Sequence, residues 1–420
     1  MTFEELNLIE PILKALKEKN YATPTPIQEQ TIPLILQKHD VLGNAQTGTG
    51  KTAAFAIPAI QQIQNSEAGQ KGKCVLRALI VTPTRELAIQ IDENIREYSK
   101  HTFVRHAVIF GGVKQHQQVN QLKNGVHILT ATPGRLLDLV SQGILSLDTI
   151  RLFVLDEADR MLDMGFIHDI KRLLQLLPSK RQSLFFSATM PKSILNLSQT
   201  ILNQPKKVQV NPVSSTATTI QQFVYKTNKK NKPELLLHIL ENPDIEQVLV
   251  FSRTKHGADR IARNLKKKNI SSAAIHGDKA QNQRQKALRE FKEGSSRVLV
   301  ATDIAARGID IDKLKYVINY DIPSESESYV HRIGRSGRAG EDGHAISLCE
   351  PEELGYLKDI EKLIGKKVQV MEENPFPQTD KPMNEAEKKA FELEKKKRKQ
   401  EFFANRNKNK SSSRGKFRKR

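Results

Sequence analysis

From about residue 40 onward, short runs of apolar residues alternate with longer stretches whose apolar side chains recur every three to four positions. The runs at 40–44, 77–82, 104–110, 127–131, 152–155 and 183–187 have strand length, and 52–63 and 85–98 carry the helical period. A strand buried on both faces reads as an unbroken apolar run, so this alternation predicts parallel βαβ units. The rhythm breaks at 203–219, where Pro, Ser, Thr and Asn accumulate as in a linker. It resumes with strands at 247–251, 272–275, 297–301, 316–320 and 345–348, and with helices at 257–267 and 283–291. The expected fold class is α/β: two parallel-sheet lobes, 1–205 and 218–368, joined by a linker at 206–217. Residues 369–420 open with a Pro-bearing link and become too polar and charged to pack a core. They are expected to form a disordered basic tail, with a short helix open to 385–400.

Composition narrows the classes. At ~150 residues per domain, 420 residues suit two or three domains. No apolar run approaches the ~18–20 residues of a membrane span. The start carries Glu4, Glu5 and Glu10 and no basic stretch leading into an apolar one, unlike a secretory leader. Cys74 and Cys349 fit neither a disulfide framework nor a metal-ligand spacing, so a reducing, cytoplasmic setting is the default. The net charge of +20 makes a polyanion the first partner to expect. Its distribution is uneven: residues 381–420 hold 16 Lys/Arg against 5 Asp/Glu, a net +11 on a mildly basic body. With no Trp and few aromatics, recognition by broad aromatic stacking is not expected.

The first chemical signal is AQTGTGKT at 45–52, between a predicted strand and a predicted helix. A phosphate loop needs small residues that let backbone N–H groups turn onto the anion, a Lys for the β/γ-phosphates, and a hydroxyl for Mg²⁺. Gly48, Thr49, Gly50, Lys51 and Thr52 supply these, and Ala45 fills the place of the outer glycine. The second signal is Asp156-Glu157-Ala158-Asp159, directly after the apolar run 152–155. An acid at the carboxyl end of a buried parallel strand sits where open α/β sheets bind ligands. Asp156 is placed to hold Mg²⁺ and Glu157 to orient or deprotonate the attacking water. Cradle and acids together read as an NTPase, with Lys51, Asp156 and Glu157 in catalysis. The second lobe has no such loop but carries HRIGRSGR at 331–338, three arginines at intervals of three. On a helix they would share one face. Guanidinium forks suit phosphate oxygens, so they read as fingers offered to the other lobe's nucleotide, coupling hydrolysis to closure of a cleft.

These residues resemble the DEAD-box ATP-dependent RNA helicases, over about residues 3–350 and in the family's order. Phe3, Tyr21 and Pro24-Thr25-Pro26-Ile27-Gln28 match the Q motif, AQTGTGKT motif I, and Pro83-Thr84-Arg85-Glu86-Leu87-Ala88 motif Ia. Gly111-Gly112, Thr132-Pro133-Gly134-Arg135, the acids at 156–159 and Ser187-Ala188-Thr189 follow. VFSRT at 250–254, ATDIAARGID at 301–310 and HRIGRSGR complete the set. The resemblance implies two tandem RecA-like lobes of the P-loop NTPase type. It implies that Gln28 pairs with the adenine edge, Tyr21 stacks on its ring and Asp310 holds the ribose. Ser187 and Thr189 would link Asp159 to His331, and Arg335 and Arg338 would be the fingers. RNA would be held by Arg85, Gly112, Thr132, Arg135, Thr254 and Thr302, on phosphates and 2′-hydroxyls and so with little sequence preference. Asn20 stands where the family usually has Gly, and Ser336 where Thr is commoner.

The function implied is RNA-stimulated ATP hydrolysis, with ATP and Mg²⁺, that separates short RNA duplexes. An ATP-gated RNA clamp and a DNA translocase of the same architecture are the competing readings. The basic tail would add non-specific RNA affinity. Ribosomal and RNA-decay assemblies are partners open to such a family, and the protein is expected to act as a monomer away from membranes.

Overall fold

The computed structural model describes residues 1–46, 48–67, 74–210, 220–306, 309, 311, 314–337, 343–382 and 387. The first lobe holds β1 (Val41–Asn44), β2 (Ala78–Val81), β3 (His106–Ile109), β4 (Ile128–Ala131), β5 (Leu152–Leu155), β6 (Gln182–Ser187) and β7 (Lys206–Gln209). They form one parallel sheet in the order β3-β4-β2-β5-β6-β1-β7. The second lobe holds β8 (Ile220–Lys226), β9 (Val248–Phe251), β10 (Ser272–Ile275), β11 (Val298–Ala301), β12 (Tyr316–Asn319), β13 (Gly343–Cys349) and β14 (Gln369–Val370). Its order is β10-β11-β9-β12-β13-β8-β14, again parallel. This is the α/β architecture of two tandem lobes that the apolar rhythm predicts.

The central strands are short, and every residue of β2, β4, β5, β9, β11 and β12 is buried. Helices on both faces cover them. In the first lobe one face packs Phe55, Ile57 and Ile60 of helix Lys51–Glu67 on Val154, Leu184 and Phe186; the other packs Leu136, Leu139 and Met161 on Phe153 and Phe185. Because every strand runs the same way, the carboxyl ends line one rim of each sheet, and the loops that leave them carry the motifs.

Strand β8 (Ile220–Lys226) is not among the expected strands, and three further regions depart from the sequence expectation. Residues 206–209, expected as linker, form edge strand β7 beside β1. Only Val208 of Lys-Lys-Val-Gln is buried, so the strand carries no apolar run. Residues 369–380, expected as disordered tail, are bound to the second lobe. Gln369 and Val370 add a strand next to Phe223 and Val224, and Phe376 packs against the core. Asn228 then accepts from the backbone N–H groups of Thr379 and Asp380 at 3.1 and 2.9 Å. Thirdly, helices Glu10–Glu18 and Pro26–Leu36 precede the first sheet, and their apolar faces enlarge its core. The helix open to 385–400 falls almost wholly outside the described residues.

Candidate active site and interlobe cleft

In the phosphate loop after β1, Gly48 and Gly50 have φ of 81° and 96°. A side chain at Gly50 would be strained by that φ and would also collide with the Gln28 amide. Gln28 itself is fixed from two sides. Its Oε1 accepts from the Thr25 N–H at 3.0 Å, part of the capping box of helix Pro26–Leu36. Its Nε2 donates to the Gly50 carbonyl at 3.1 Å. One N–H and one lone pair stay available beyond these bonds, which is what an edge-on contact with a base requires. Tyr21, half-buried, sits on Phe3 with ring centroids 6.4 Å apart and on Tyr98 at 6.2 Å. The other end of the loop is pinned by Thr49 donating to the Gln46 carbonyl at 2.7 Å.

Lys51 is buried and donates to the Ala45 carbonyl at 2.7 Å, closing the loop on itself. Burial pushes its ammonium below the usual range, against the pull of Asp156 and Glu157. Asp156 leaves β5 with its side chain buried and accepts the Glu157 N–H at 3.0 Å. Burial pushes its carboxyl up to about 7, in spite of the nearby Lys51. Glu157 takes left-handed backbone, φ 55° and ψ 49°, at a cost of roughly 1–2 kcal/mol for a residue with a Cβ. That turn aims its carboxylate into the cleft, where the buried Arg160 pairs with it at 2.7 Å. Tyr21, Gln28, Gly48, Gly50, Lys51, Thr52, Asp156, Glu157 and, from the second lobe, Ile309 line one cavity of about 570 Å³.

Asp159 connects this cavity to the loop after β6. Its Oδ2 accepts from the Thr189 N–H and Oγ1 at 3.0 and 3.1 Å, and its N–H donates to Ser187 Oγ at 3.3 Å. His331 lies across the interface, with Arg160 and Arg335 around the same small cavity. The arginine motif is not one helical face: the helix ends at Ile333 with Gly334 as its cap. Arg332, on the helix, is buried and clamps Asp303 with two bonds of 2.5 and 2.7 Å. Arg335, beyond the end, donates to the Ile309 carbonyl at 3.0 Å, so its guanidinium is anchored to a residue that lines the larger cavity. Asp310 and Arg338 lie outside the described residues.

The residues expected at RNA follow the other strands. Arg85 follows β2, Gly112 β3, Thr132 and Arg135 β4, Thr254 β9 and Thr302 β11, so each set leaves neighbouring strands of its own sheet. Gly112 has φ 79° and lies against the Arg85 guanidinium. Arg135 is braced by Gln118 Oε1 and the Val113 carbonyl, both at 3.0 Å. Thr254 caps helix Lys255–Lys267 through the Gly257 N–H at 3.0 Å, whereas the Thr132 hydroxyl makes no cap bond. On this side the lobes also touch: Glu86 accepts from Gln281 Nε2 at 2.9 Å and pairs with Arg284 at 2.9 Å. Arg85 donates to Gln281 Oε1 at 3.4 Å. Arg160, Gln281 and Arg284 were not singled out by sequence reasoning, and Glu86 appeared there only as part of a motif. Arg332, expected with the other two arginines as a finger, is instead buried and committed to Asp303, Asn319 and Asp321 within its own lobe. The acidic partner next to Arg85 and the Gln-x-x-Arg spacing were visible, but their pairing spans nearly 200 residues.

The sequence profile of DEAD/DEAH box helicases matches residues 25–197, and that of the helicase conserved C-terminal domain matches 231–340. The chain is similar to the DEAD-box ATP-dependent RNA helicase CshA of Geobacillus kaustophilus, 43% identical over 88% of this chain and 78% of that one. The chain belongs to the DEAD-box ATP-dependent RNA helicases. CshA of Listeria monocytogenes is 45% identical over 88% of this DEAD-box chain and 70% of its own. Among solved structures, S. cerevisiae Dbp5 bound to RNA and ADP BeF3 superposes with a TM-score of 0.78 at 30% identity, over 88% of this chain and 95% of that one. A DEAD box protein from Methanococcus jannaschii is 39% identical over 89% of this chain and 99% of its own, yet reaches a TM-score of only 0.51.

Proposed function

We propose that the interlobe cleft holds ATP with Mg²⁺ on the side of Lys51 and Asp156, and an RNA backbone on the side of Arg85 and Thr254. As a member of its family, the protein is an ATP-dependent RNA helicase that binds RNA. The observation that carries the assignment of sides is that Ile309, anchored to Arg335, closes a cavity otherwise built by the first lobe, from Tyr21 and Gln28, the phosphate loop, helix Arg85–Tyr98 and Asp156-Glu157. The greater similarity to Dbp5 with RNA and ADP BeF3 than to a more identical protein is the pattern given by similar lobes set against each other differently. It supports a closed arrangement.

The donor set suits Mg²⁺. Among the described residues no three His, Cys, Asp or Glu side chains gather as a metal cage, and Mg²⁺ prefers one or two protein oxygens with phosphates and water. Thr52 and Asp156 would supply those oxygens, and the bound ion would neutralise charge on the phosphates. Lys51 trades the Ala45 carbonyl for a phosphate oxygen. Gln28, already bonded to Gly50, reports base identity to the phosphate loop. Tyr21 stacks on the base, and Asp310 holds the ribose. Glu157 takes the proton of the attacking water, with Arg160 fixing its carboxylate. Arg335 and Arg338 act as fingers from the second lobe. Asp159, Ser187 and Thr189 pass the state of the site toward His331.

Arg85, Gly112, Thr132, Arg135, Thr254 and Thr302 hold RNA through backbone phosphates and 2′-hydroxyls, which favours RNA over DNA. Short duplexes separate when closure bends one strand. No described helix is long and apolar enough to cross a membrane, and a cytoplasmic monomer serving ribosomal or RNA-decay assemblies is the setting proposed. The test is Glu157→Gln. ATP and RNA should still bind, and turnover should fall about 10²-fold or more, the range of a lost general base. Retention of most hydrolysis would falsify the role.

A further inference from the structure

The loop Ser252–Thr254 after β9 and the helix Ser326–Ile333 share an anchor outside both the nucleotide cavity and the RNA-side residues. The Oδ2 of Asp321, just past β12, accepts from the Arg253 N–H at 2.8 Å and from Ser252 Oγ at 3.1 Å. Its Oδ1 lies 3.7 Å from the ammonium of the buried Lys232. Its backbone carbonyl accepts from Arg332 Nη1 at 2.7 Å, the same guanidinium that clamps Asp303 and bonds Asn319 Oδ1 at 3.1 Å. Asp303 follows Thr302 directly, and Arg332 sits between His331 and the turn to Arg335. One residue thus binds the loop ending in Thr254 through its side chain, and the helix carrying His331 through its main chain.

Geometry separates this from general packing. Both bonds to Oδ2 come from the loop that presents Thr254, and both are made to a carboxylate, the stronger kind of hydrogen bond. The Asp321 side chain is 22% exposed, so it lies at the surface of the lobe and not in its core. The Lys232 ammonium beside Oδ1 keeps that carboxylate from turning away. Glu353 reinforces the arrangement from below: its Oε2 accepts from Lys232 Nζ at 2.8 Å, and its Oε1 accepts from Arg253 and from the Ile322 N–H at 3.2 Å.

We infer that Asp321 is a positioning residue for RNA engagement by the second lobe. It holds the Ser252–Thr254 loop in register with the Arg332–Asp303 clamp, so that Thr254 and Thr302 meet one strand together. The inference rests on the reading of Thr254 as an RNA contact. It acts on RNA binding and leaves the nucleotide cavity alone, since none of its bonds reaches that cavity.

The experiment measures RNA-stimulated ATPase of the full chain against RNA concentration, with poly(U) as the probe. Asp321→Ala should raise the RNA concentration for half-maximal activity about ten-fold, as loss of bonds to a charged group implies. ATP KM and the RNA-free rate should stay within about two-fold on the same reasoning. Asp321→Asn keeps an acceptor for the Arg253 N–H and Ser252 hydroxyl and should recover most of the loss. Thr254→Val should produce a similar shift, and the double variant should be no worse than the poorer single one. If Asp321→Ala fails to fold, Ser252→Ala removes one of the two bonds and should give a smaller shift of the same kind. A normal RNA response in the Asp321 and Ser252 variants beside a weakened Thr254→Val overturns the inference while sparing the RNA role of Thr254. A normal response in Thr254→Val overturns both. An equal rise in ATP KM, or additive effects, also overturns it.

Discussion

At Asp156 the chain leads a carboxylate straight from a fully buried strand into a site with 2% exposure. Burial raises its pKa from the ordinary 3.8 to about 7. The linkage follows from that direction. Between the two values the folded, metal-free chain binds a proton that the unfolded chain does not. This contribution to stability is complete below the unfolded pKa and is lost as pH rises through 7. With Asp156 as the proposed Mg²⁺ ligand, the ion would compete with that proton, so binding of Mg²⁺–ATP should release protons at pH 6.5 and almost none above pH 8.5. Calorimetry in two buffers of different ionisation enthalpy measures this release. Asp156→Asn should remove the protein's share of it, and an unchanged release in that variant would contradict the assignment. Glu157, next in the chain, shows a second cost, a left-handed backbone, and both sit where the chemistry demands them.

Among the elements, the contact between helix Arg85–Tyr98 and helix Gln281–Lys292 joins the lobes on the side proposed for RNA. Arg284 is buried against the buried Glu86, so Arg284→Met leaves a desolvated carboxylate without its countercharge. The closed form with RNA and an ATP analogue should then lose several-fold in population, measured by energy transfer between dyes on the two lobes, while each lobe melts as before. Glu86→Gln in addition should return part of the loss, because the stranded charge is gone. An unchanged closed population would show the contact to be incidental. Central strands such as Leu152–Leu155 and Val298–Ala301 were legible because burial on both faces leaves only apolar residues. The edge strands β3 and β10 were legible too, but those at the opposite edges were not: Lys206–Gln209 and Gln369–Val370 have polar sequences held in the sheet mainly by their backbone. The phosphate loop and the acids after β5 were legible for the opposite reason, since contiguous residues make them. The partners of Glu157, Glu86 and Asp303 come from elsewhere on the chain or carry no motif of their own.

For the molecule as a whole, charge and anchorage divide at about residue 381. Deleting 381–420 removes a net +11. It should weaken RNA binding at low salt and make log Kd less steep in log salt, by about 0.7 for each single-strand phosphate that the tail no longer neutralises. The melting temperature should hardly move, and unchanged affinity at low salt would count against a binding tail. The segment just before it plays another part. Strand β8 pairs with β13 on one side, and on the other Val370, Met371 and Gln378 cover it from Phe223 to Lys226. Stripped of that cover, a row of main-chain donors and acceptors would face solvent beside Phe223, Val224 and Tyr225. Such a row is a template on which a second molecule can add its own strand. A chain cut before 369 would thus be exposed to edge-to-edge aggregation, and those few residues act as a hem that keeps one copy of the sheet from growing into the next.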